Sequence, residues 1–450
     1  MRYSFFFLLI LFGACAKNEP LLPNPYIPDY YLTQLQLYGG SNEDIAHAVI
    51  NTADGGFAVI GNTTSTDGDL AGKALEVSDI LLLKFDEDGS LEWSKTYGGT
   101  EDDRGHSLVE LPTGGYALLG YAMSSDGDAS QNQGQHDNWV IRVDAQGEIL
   151  WERSFGFLGH DHAYNIIATQ DGGLFFNGFL EVTASQGEGS TQKGNAANNK
   201  HGVGEFWCHK IDAQGNIQWR RYFGGTNNDR SYDALELDSG EFILVGTSES
   251  VDVDVTDPKG GYDMWVIKLS ATGTLLWERS FGGTAIDGAN AVVQRPDGLL
   301  CVLGNSFSQD KSVSTPLGRS DIWLVVMDEE GNLRGEYSYG GSEFDLGRDL
   351  ISSDNHLWVV GYSRSNDVDL SENQGENDVV LLQLGENFLP QQRLSLGGEG
   401  EDFAHSLVQR PDGSIVVVGS TESRTGSFET HRGGKDVFIA KWDIENEFSH

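Results

Sequence analysis

One short phrase returns seven times along this chain. An aromatic residue or leucine precedes a glycine pair at Tyr38-Gly39-Gly40, Tyr97-Gly98-Gly99, Phe223-Gly224-Gly225, Phe281-Gly282-Gly283, Tyr339-Gly340-Gly341 and Leu396-Gly397-Gly398. A degenerate copy, Phe155-Gly156-Phe157, completes the set. The first glycines follow one another at steps of 57–59 residues, except for one step of 68 that holds a polar insertion at roughly residues 184–204. Such a period belongs to units that cannot bury their apolar faces alone and must stack on their neighbours.

Each unit reads as four short strands, which in the first copy are Ala46–Thr52, Phe57–Thr63, Asp79–Asp86 and Leu91–Tyr97. The first and second strands join through Asp54-Gly55-Gly56, the third and fourth through Asp86-Glu87-Asp88-Gly89. Both links have hairpin chemistry, with glycine supplying positive φ and aspartate bonding its own turn. The third strands (ILLLKF, WVIRV, WVIKL, WLVVM, VVLLQL, VFIAKW) are apolar on both faces, as strands between two packed layers are. Four-stranded units repeated around a ring predict an all-β fold, a seven-bladed β-propeller. The last unit stops after its third strand, near Trp442-Asp443, while an unassigned strand, Leu32–Tyr38, precedes the first glycine pair. That N-terminal strand is expected to complete the last blade and leave the ring without an open edge.

The unit resembles the SBBP-type repeats of bacterial exported β-propellers over about residues 32–443, a resemblance specific for fold and nearly silent on activity. It distantly resembles the tryptophan-docked repeats of quinoproteins, through Asp144…Gly147…Trp151 and Asp212…Gly215…Trp219. The spacing here is one residue shorter, and the ring has seven units rather than the eight typical of those enzymes, so no quinone cofactor is expected.

The first residues, MRYSFFFLLILFGAC, have the layout of a secretory signal: Arg2, an apolar run from Phe5 to Phe12, then Gly13-Ala14 before a cut. The run is far shorter than the roughly 20 residues that span a bilayer. Phe12-Gly13-Ala14-Cys15 resembles the lipobox of bacterial lipoproteins, which implies cleavage after residue 14 and acylation of Cys15. Pro20, Pro23, Pro25 and Pro28 then make residues 15–31 an extended tether. Ala16 after the cysteine looks like outer-membrane sorting, to the periplasmic side or the cell surface. The expected organisation is signal peptide 1–14, lipid-anchored tether 15–31 and propeller 32–450, a monomer by default because the ring buries its own edges.

A net charge of −39 repels nucleic acid and anionic lipid surfaces, so the expected membrane link is the acyl anchor. Beyond Cys15 only Cys208 and Cys301 remain, in apolar strands of different units, and they read as buried free thiols. No Cys/His cluster with metal-ligand spacing is visible. Nor is there an HExxH, a GxSxG, a P-loop or a strand-to-helix GxGxxG, so no enzyme activity is expected.

Topology puts the hairpins on one face and every long loop on the other: 63–78, 121–136, 180–204, 247–262, 305–320, 362–377 and 420–435. Function concentrates in such loops. Four of them carry paired aspartates, Asp67/Asp69, Asp126/Asp128, Asp252/Asp254 and Asp367/Asp369, which suit either Asx turns or Ca²⁺, a hard cation that takes six to eight oxygens.

Five residues after each first glycine stands an aspartate: Asp44, Asp103, Asp161, Asp229, Asp287, Asp345 and Asp402. A reaction needs one constellation, whereas a residue needed in every blade does structural work, so these are read as acceptors for backbone N–H at the turn. Three residues further on, the residue varies: His47, His106, Tyr164, Tyr232, Asn290, Arg348 and His405. These are expected near the mouth of the central channel, where they would recognise a ligand. The functional expectation is a non-catalytic scaffold for a protein or glycan partner. The alternatives are a carbohydrate-active hydrolase at the channel mouth and a Ca²⁺-dependent adhesive module.

Overall fold

The computed structural model describes residues 29–70, 73–190, 201–353, 356–370, 373–428 and 431–444. Seven four-stranded antiparallel sheets form a ring. Blade 1 runs Asp44–Asn51, Phe57–Thr63, Asp79–Phe85 and Leu91–Tyr97, and blade 4 runs Asp229–Glu236, Phe242–Ser248, Asp263–Leu269 and Leu275–Phe281. The first strand of every blade packs against its counterparts in the neighbouring blades and lines the axis. Among the described residues no helix is long and apolar enough to cross a membrane.

Blade 7 is closed by the N-terminal strand, which pairs antiparallel with Asp436–Ile444 in the register Tyr30↔Ile444, Leu35↔Ala440, Leu37↔Phe438 and Tyr38↔Val437. This strand begins at Tyr30, two residues before the expected start, because the Tyr30 ring is drawn into the core edge-on to Trp358 at 4.8 Å. Residues 15–28 of the expected tether, Cys15 among them, lie outside the described residues.

The third strands are buried along their whole length in blades 1 to 6, as apolar residues on both faces require. Their tryptophans are fully buried, and each finds a partner for its indole N–H. Trp139, Trp265 and Trp323 donate to Glu152, Glu278 and Glu336 on the outer strand at 3.0, 2.8 and 2.7 Å. Blade 3 has Arg220 at the glutamate's position. There Trp207 donates instead to the Gly189 carbonyl at 2.8 Å, inside the insertion. A helical turn, Val182–Ser185, leads into the described part of the insertion, which docks on the blade.

The seven aspartates that open the inner strands are fully buried. Each accepts an N–H from four residues back, at the glycine-pair turn. Asp44, Asp103, Asp161, Asp229, Asp287, Asp345 and Asp402 take Gly40, Gly99, Phe157, Gly225, Gly283, Gly341 and Gly398, at 2.7–2.9 Å. In most blades hydroxyls from the end of the second strand fill the remaining positions, such as Ser306 and Ser308 on Asp287 at 2.5 and 2.6 Å. Each carboxylate thus ties the turn between blades to the blade it enters.

A second buried acid opens the third strand. In blade 4 it is Asp263, whose Oδ2 accepts from the Lys259 amide while its Oδ1 has no partner. Burial, with the nearby Asp287 charge, pushes its carboxyl up to about 6. A raised folded-state value favours folding at low pH, and that contribution is lost as pH rises through about 6. Asp263→Asn keeps the acceptor and removes the buried charge. It should raise stability by about 1–3 kcal/mol at pH 8 and by roughly half as much at pH 5. Thermal melts of both proteins at the two pH values check this; an equal gain at both would contradict the assignment.

Candidate functional site: the channel mouth

The inner strand of every blade contains a β-bulge. Register slips between Ala46 and Ala48, Gly105 and Ser107, Ala163 and Asn165, Ser231 and Asp233, Ala289 and Ala291, Gly347 and Asp349, and Ala404 and Ser406. The extra residue at each slip is His47, His106, Tyr164, Tyr232, Asn290, Arg348 or His405. A bulge leaves its extra residue out of the ladder and re-aims its side chain. Here all seven turn toward the axis and line one cavity of about 410 Å³, together with Thr247, Asn305 and Phe307.

The bulge also explains a glycine in each second strand that sequence reading passed over. Gly61, Gly120, Gly178, Gly246, Gly304, Gly361 and Gly419 sit opposite the slip. A Cβ on any of them would collide with a backbone carbonyl of the bulged strand.

Aromatic rings run around part of the cavity wall. His405, His47, His106, Tyr164 and Tyr232 are successive neighbours at centroid distances of 5.1–5.4 Å. His47 bonds Asn62 at 2.8 Å, while His106 Nε2 and His405 Nδ1 have no hydrogen-bond partner. Burial lowers the His47 imidazole to about 4 and holds His106 and His405 well below the ordinary histidine range. These rings are therefore neutral at neutral pH, and Arg348 supplies a positive charge.

Behind the wall, Asp233 accepts from Asn165 Nδ2 at 2.6 Å and the Val292 amide at 2.7 Å, joining blades 3, 4 and 5. Asp349 accepts from Ser406 Oγ at 2.8 Å and joins blades 6 and 7. The acids nearest the axis are thus occupied in holding blades together.

The paired loop aspartates sit on the long-loop face. Asp67, Asp126, Asp252 and Asp367 accept the amides of Ser41, Thr100, Thr226 and Ser342 at 2.7–2.9 Å. Asp69, Asp128 and Asp254 accept those of Gly39, Gly98 and Gly224 at 3.2–3.3 Å, and Asp369 binds Arg393 at 2.6 Å. In three of the four pairs the two members clasp different points of the glycine turn. Asp310 plays the same part in blade 5 by accepting from Thr284 at 2.8 Å, although its loop lacks the second aspartate.

The residue after the first aspartate of each clasp, or after Thr425 in its place in blade 7, takes positive φ: Gly68, Gly127 and Gly426 in three blades, but Val253, Lys311 and Val368 in three others. A β-branched residue is strained in that region, at a cost of about 1–2 kcal/mol. Val253 and Val368 are also 42% and 67% exposed.

The expectation that no metal-ligand cluster exists needs correction. His136, which precedes the third strand of blade 2, meets His160 and His162, which flank Asp161 at the entrance of blade 3. One ring nitrogen from each lies within 4.8 Å of the others. Sequence spacing hid this group, because its members are 24 and 26 residues apart across two blades. The usable signal was broken symmetry: none of the other six units has a histidine at any of these positions.

No family model matches the chain. The regulatory protein FlaEY of Caulobacter vibrioides is 24% identical over 378 residues, which cover 74% of this chain and 38% of that protein's length. Among solved structures, the WD40 domain of Neurospora crassa Pan2 aligns over 94% of this chain and 97% of its own, at 10% identity and a TM-score of 0.49. A protein of unknown function from Bacteroides caccae covers 70% of this chain and 94% of its own (12% identity, TM-score 0.36). A duf4221 member from Bacteroides vulgatus covers 93% and 98% (9% identity, TM-score 0.40). The chain spans less than half of the curated relative it matches.

Proposed function

We propose that this protein is a non-catalytic binding module of the cell envelope, which presents its long-loop face and channel mouth to a protein or glycan partner. The observation that carries the reading is the bulge ring. Seven near-identical backbones hold seven side chains at one position, and these vary among histidine, tyrosine, asparagine and arginine, as recognition of an asymmetric ligand requires. The exposed, strained Val253 and Val368 on the same face add apolar contact points kept at a cost in stability.

The cavity wall carries no carboxylate among the described residues, so the two-acid arrangement of a typical glycoside hydrolase draws no support there. The lipobox-like Cys15, the proline-rich tether and the likeness to SBBP-type repeats support placement as an outer-membrane lipoprotein. The regulatory role in the name of the Caulobacter relative fits a binding role.

The test compares wild type with Val253→Gly/Val368→Gly and with Tyr232→Ala/Arg348→Ala, in binding to envelope glycans and cross-linked capture from the native envelope. The glycine pair should melt at the same or higher temperature and yet bind about tenfold more weakly. The ring pair should lose binding while keeping its fold. Unchanged binding in both would refute the assignment of this face.

A further inference from the structure

The three histidines between blades 2 and 3 are more than the fold needs. The backbone there is the one used elsewhere: His136 and His160 form a parallel bridge, as do Tyr262 with Ile286 and Ser320 with Phe344 at two other junctions. The Asp161 amide donates to the His136 carbonyl at 2.8 Å, as Asp287 does to Tyr262 and Asp345 to Ser320. Tyrosine, isoleucine, serine and phenylalanine serve this bridge equally well, so histidine is not a requirement of the junction.

The ring nitrogens are also crowded in a way that neutral imidazoles do not satisfy. His136 Nδ1 lies 2.7 Å from His162 Nε2 and 2.9 Å from His160 Nδ1. A ring nitrogen offers either one N–H or one in-plane lone pair, so His136 Nδ1 can satisfy only one of these neighbours. A cation placed among them accepts all three lone pairs. Zinc–imidazole bonds of about 2.0–2.1 Å in a tetrahedral site put the nitrogens about 3.3–3.4 Å apart, so the two short contacts must open by about 0.5 Å while the His160–His162 pair, which lies within 4.8 Å, settles to the same spacing.

The rings are held in place. His162 packs between Tyr121, at 4.4 Å, and Phe179, stacked at 4.9 Å, and His136 lies 4.7 Å from Tyr121. The His160 amide is fixed by Glu181 Oε2 at 2.9 Å. His160 is exposed and His136 and His162 are partly exposed, so an ion held there keeps a solvent-facing position.

We propose that His136, His160 and His162 form a three-imidazole site for a divalent transition-metal ion of the zinc type, with its fourth position open beside the channel mouth. An all-nitrogen set suits Zn²⁺, Co²⁺, Ni²⁺ or Cu²⁺ rather than the oxygen-seeking Ca²⁺ or Mg²⁺. Three protein ligands plus one open position is the arrangement that lets a bound ion take water or an anionic ligand. Tyr164, 6.4 Å from His162, connects this position to the cavity wall, so an ion here would sit where a channel-mouth ligand arrives.

The test titrates Co²⁺ and then Zn²⁺ into chelator-treated, full-length protein, with excess Ca²⁺ present to saturate the acidic surface. One Co²⁺ per chain, with the intense visible bands of a four- or five-coordinate nitrogen site that Zn²⁺ abolishes, is the expected result. His160→Gln, at an exposed position, and His136→Ala should each weaken binding about 100-fold or more, while melting of the metal-free proteins shows whether each variant is folded. Zn²⁺ should raise the melting temperature of wild type and not of His160→Gln. The pale spectrum of hydrated Co²⁺, or affinity unchanged in a folded His160→Gln, would overturn the proposal.

Discussion

A chain that begins at Gly39 and so lacks Tyr30–Tyr38 is expected to lose soluble, cooperative folding. That segment is the outer strand of blade 7, paired with Asp436–Ile444 from Tyr30↔Ile444 to Tyr38↔Val437. Without it the third strand, whose residues Val437 to Ala440 are all buried in the intact ring, becomes an open edge. Exposed apolar edge strands recruit other chains, so aggregation is the expected outcome. The same segment re-attached by a short loop after Ile444 should restore the fold, because Tyr30 and Ile444 already face each other as the ends of a hairpin. A permuted protein melting within a few degrees of wild type, beside an insoluble truncation, would show that pairing matters and chain order does not. A truncated chain that stayed soluble and monomeric with an unchanged melting temperature would contradict closure by this strand.

Gly304→Ala is the second change with a large expected effect. Gly304 lies opposite the bulge that carries Asn290, and a Cβ there would drive into the carbonyl of Gly288. Backbone cannot move aside as a side-chain tip can, so the bulge must flatten or the two strands must separate. The cost should be about 3 kcal/mol or more. Gly204→Ala serves as the control, since its new Cβ would approach nothing closer than 3.5 Å, an ordinary van der Waals contact, and it should change stability by less than about 0.5 kcal/mol. Chemical denaturation of the three proteins measures both. Similar small effects would mean that the bulge is not rigid.

The relation between the two levels of description is clearest at the bulge. Period, strand count and hairpin chemistry are local properties, and they suffice for seven blades of four strands and for the closing strand. The structural duty of Asp44 and its six counterparts was legible because it recurs in every unit. His47, His106, Tyr164, Tyr232, Asn290, Arg348 and His405 were legible as a variable position, but nothing local marks them as bulge residues. The mark lies on the partner strand, in Gly61 and its counterparts, and is understood only once the strands are paired. The loop aspartates illustrate the reverse case: alternate carboxylates suited an Asx turn or a cation, and the backbone amides that Asp67, Asp126 and Asp252 accept come from a turn more than twenty residues away in the chain. The histidine cluster depends on which loop of blade 2 adjoins which entrance of blade 3, so it appears only when the ring is assembled.

The central claim is that partners meet this propeller on its long-loop face, at the mouth lined by the bulge residues. A photo-cross-linking amino acid in place of Phe307, on the cavity rim, should trap a discrete partner in the native envelope. The same group in place of Ser239, on the hairpin face, should not. Adducts from the Phe307 position that disappear in the Tyr232→Ala/Arg348→Ala background are the predicted result. Adducts confined to the Ser239 position would place the working surface on the opposite face and contradict the account.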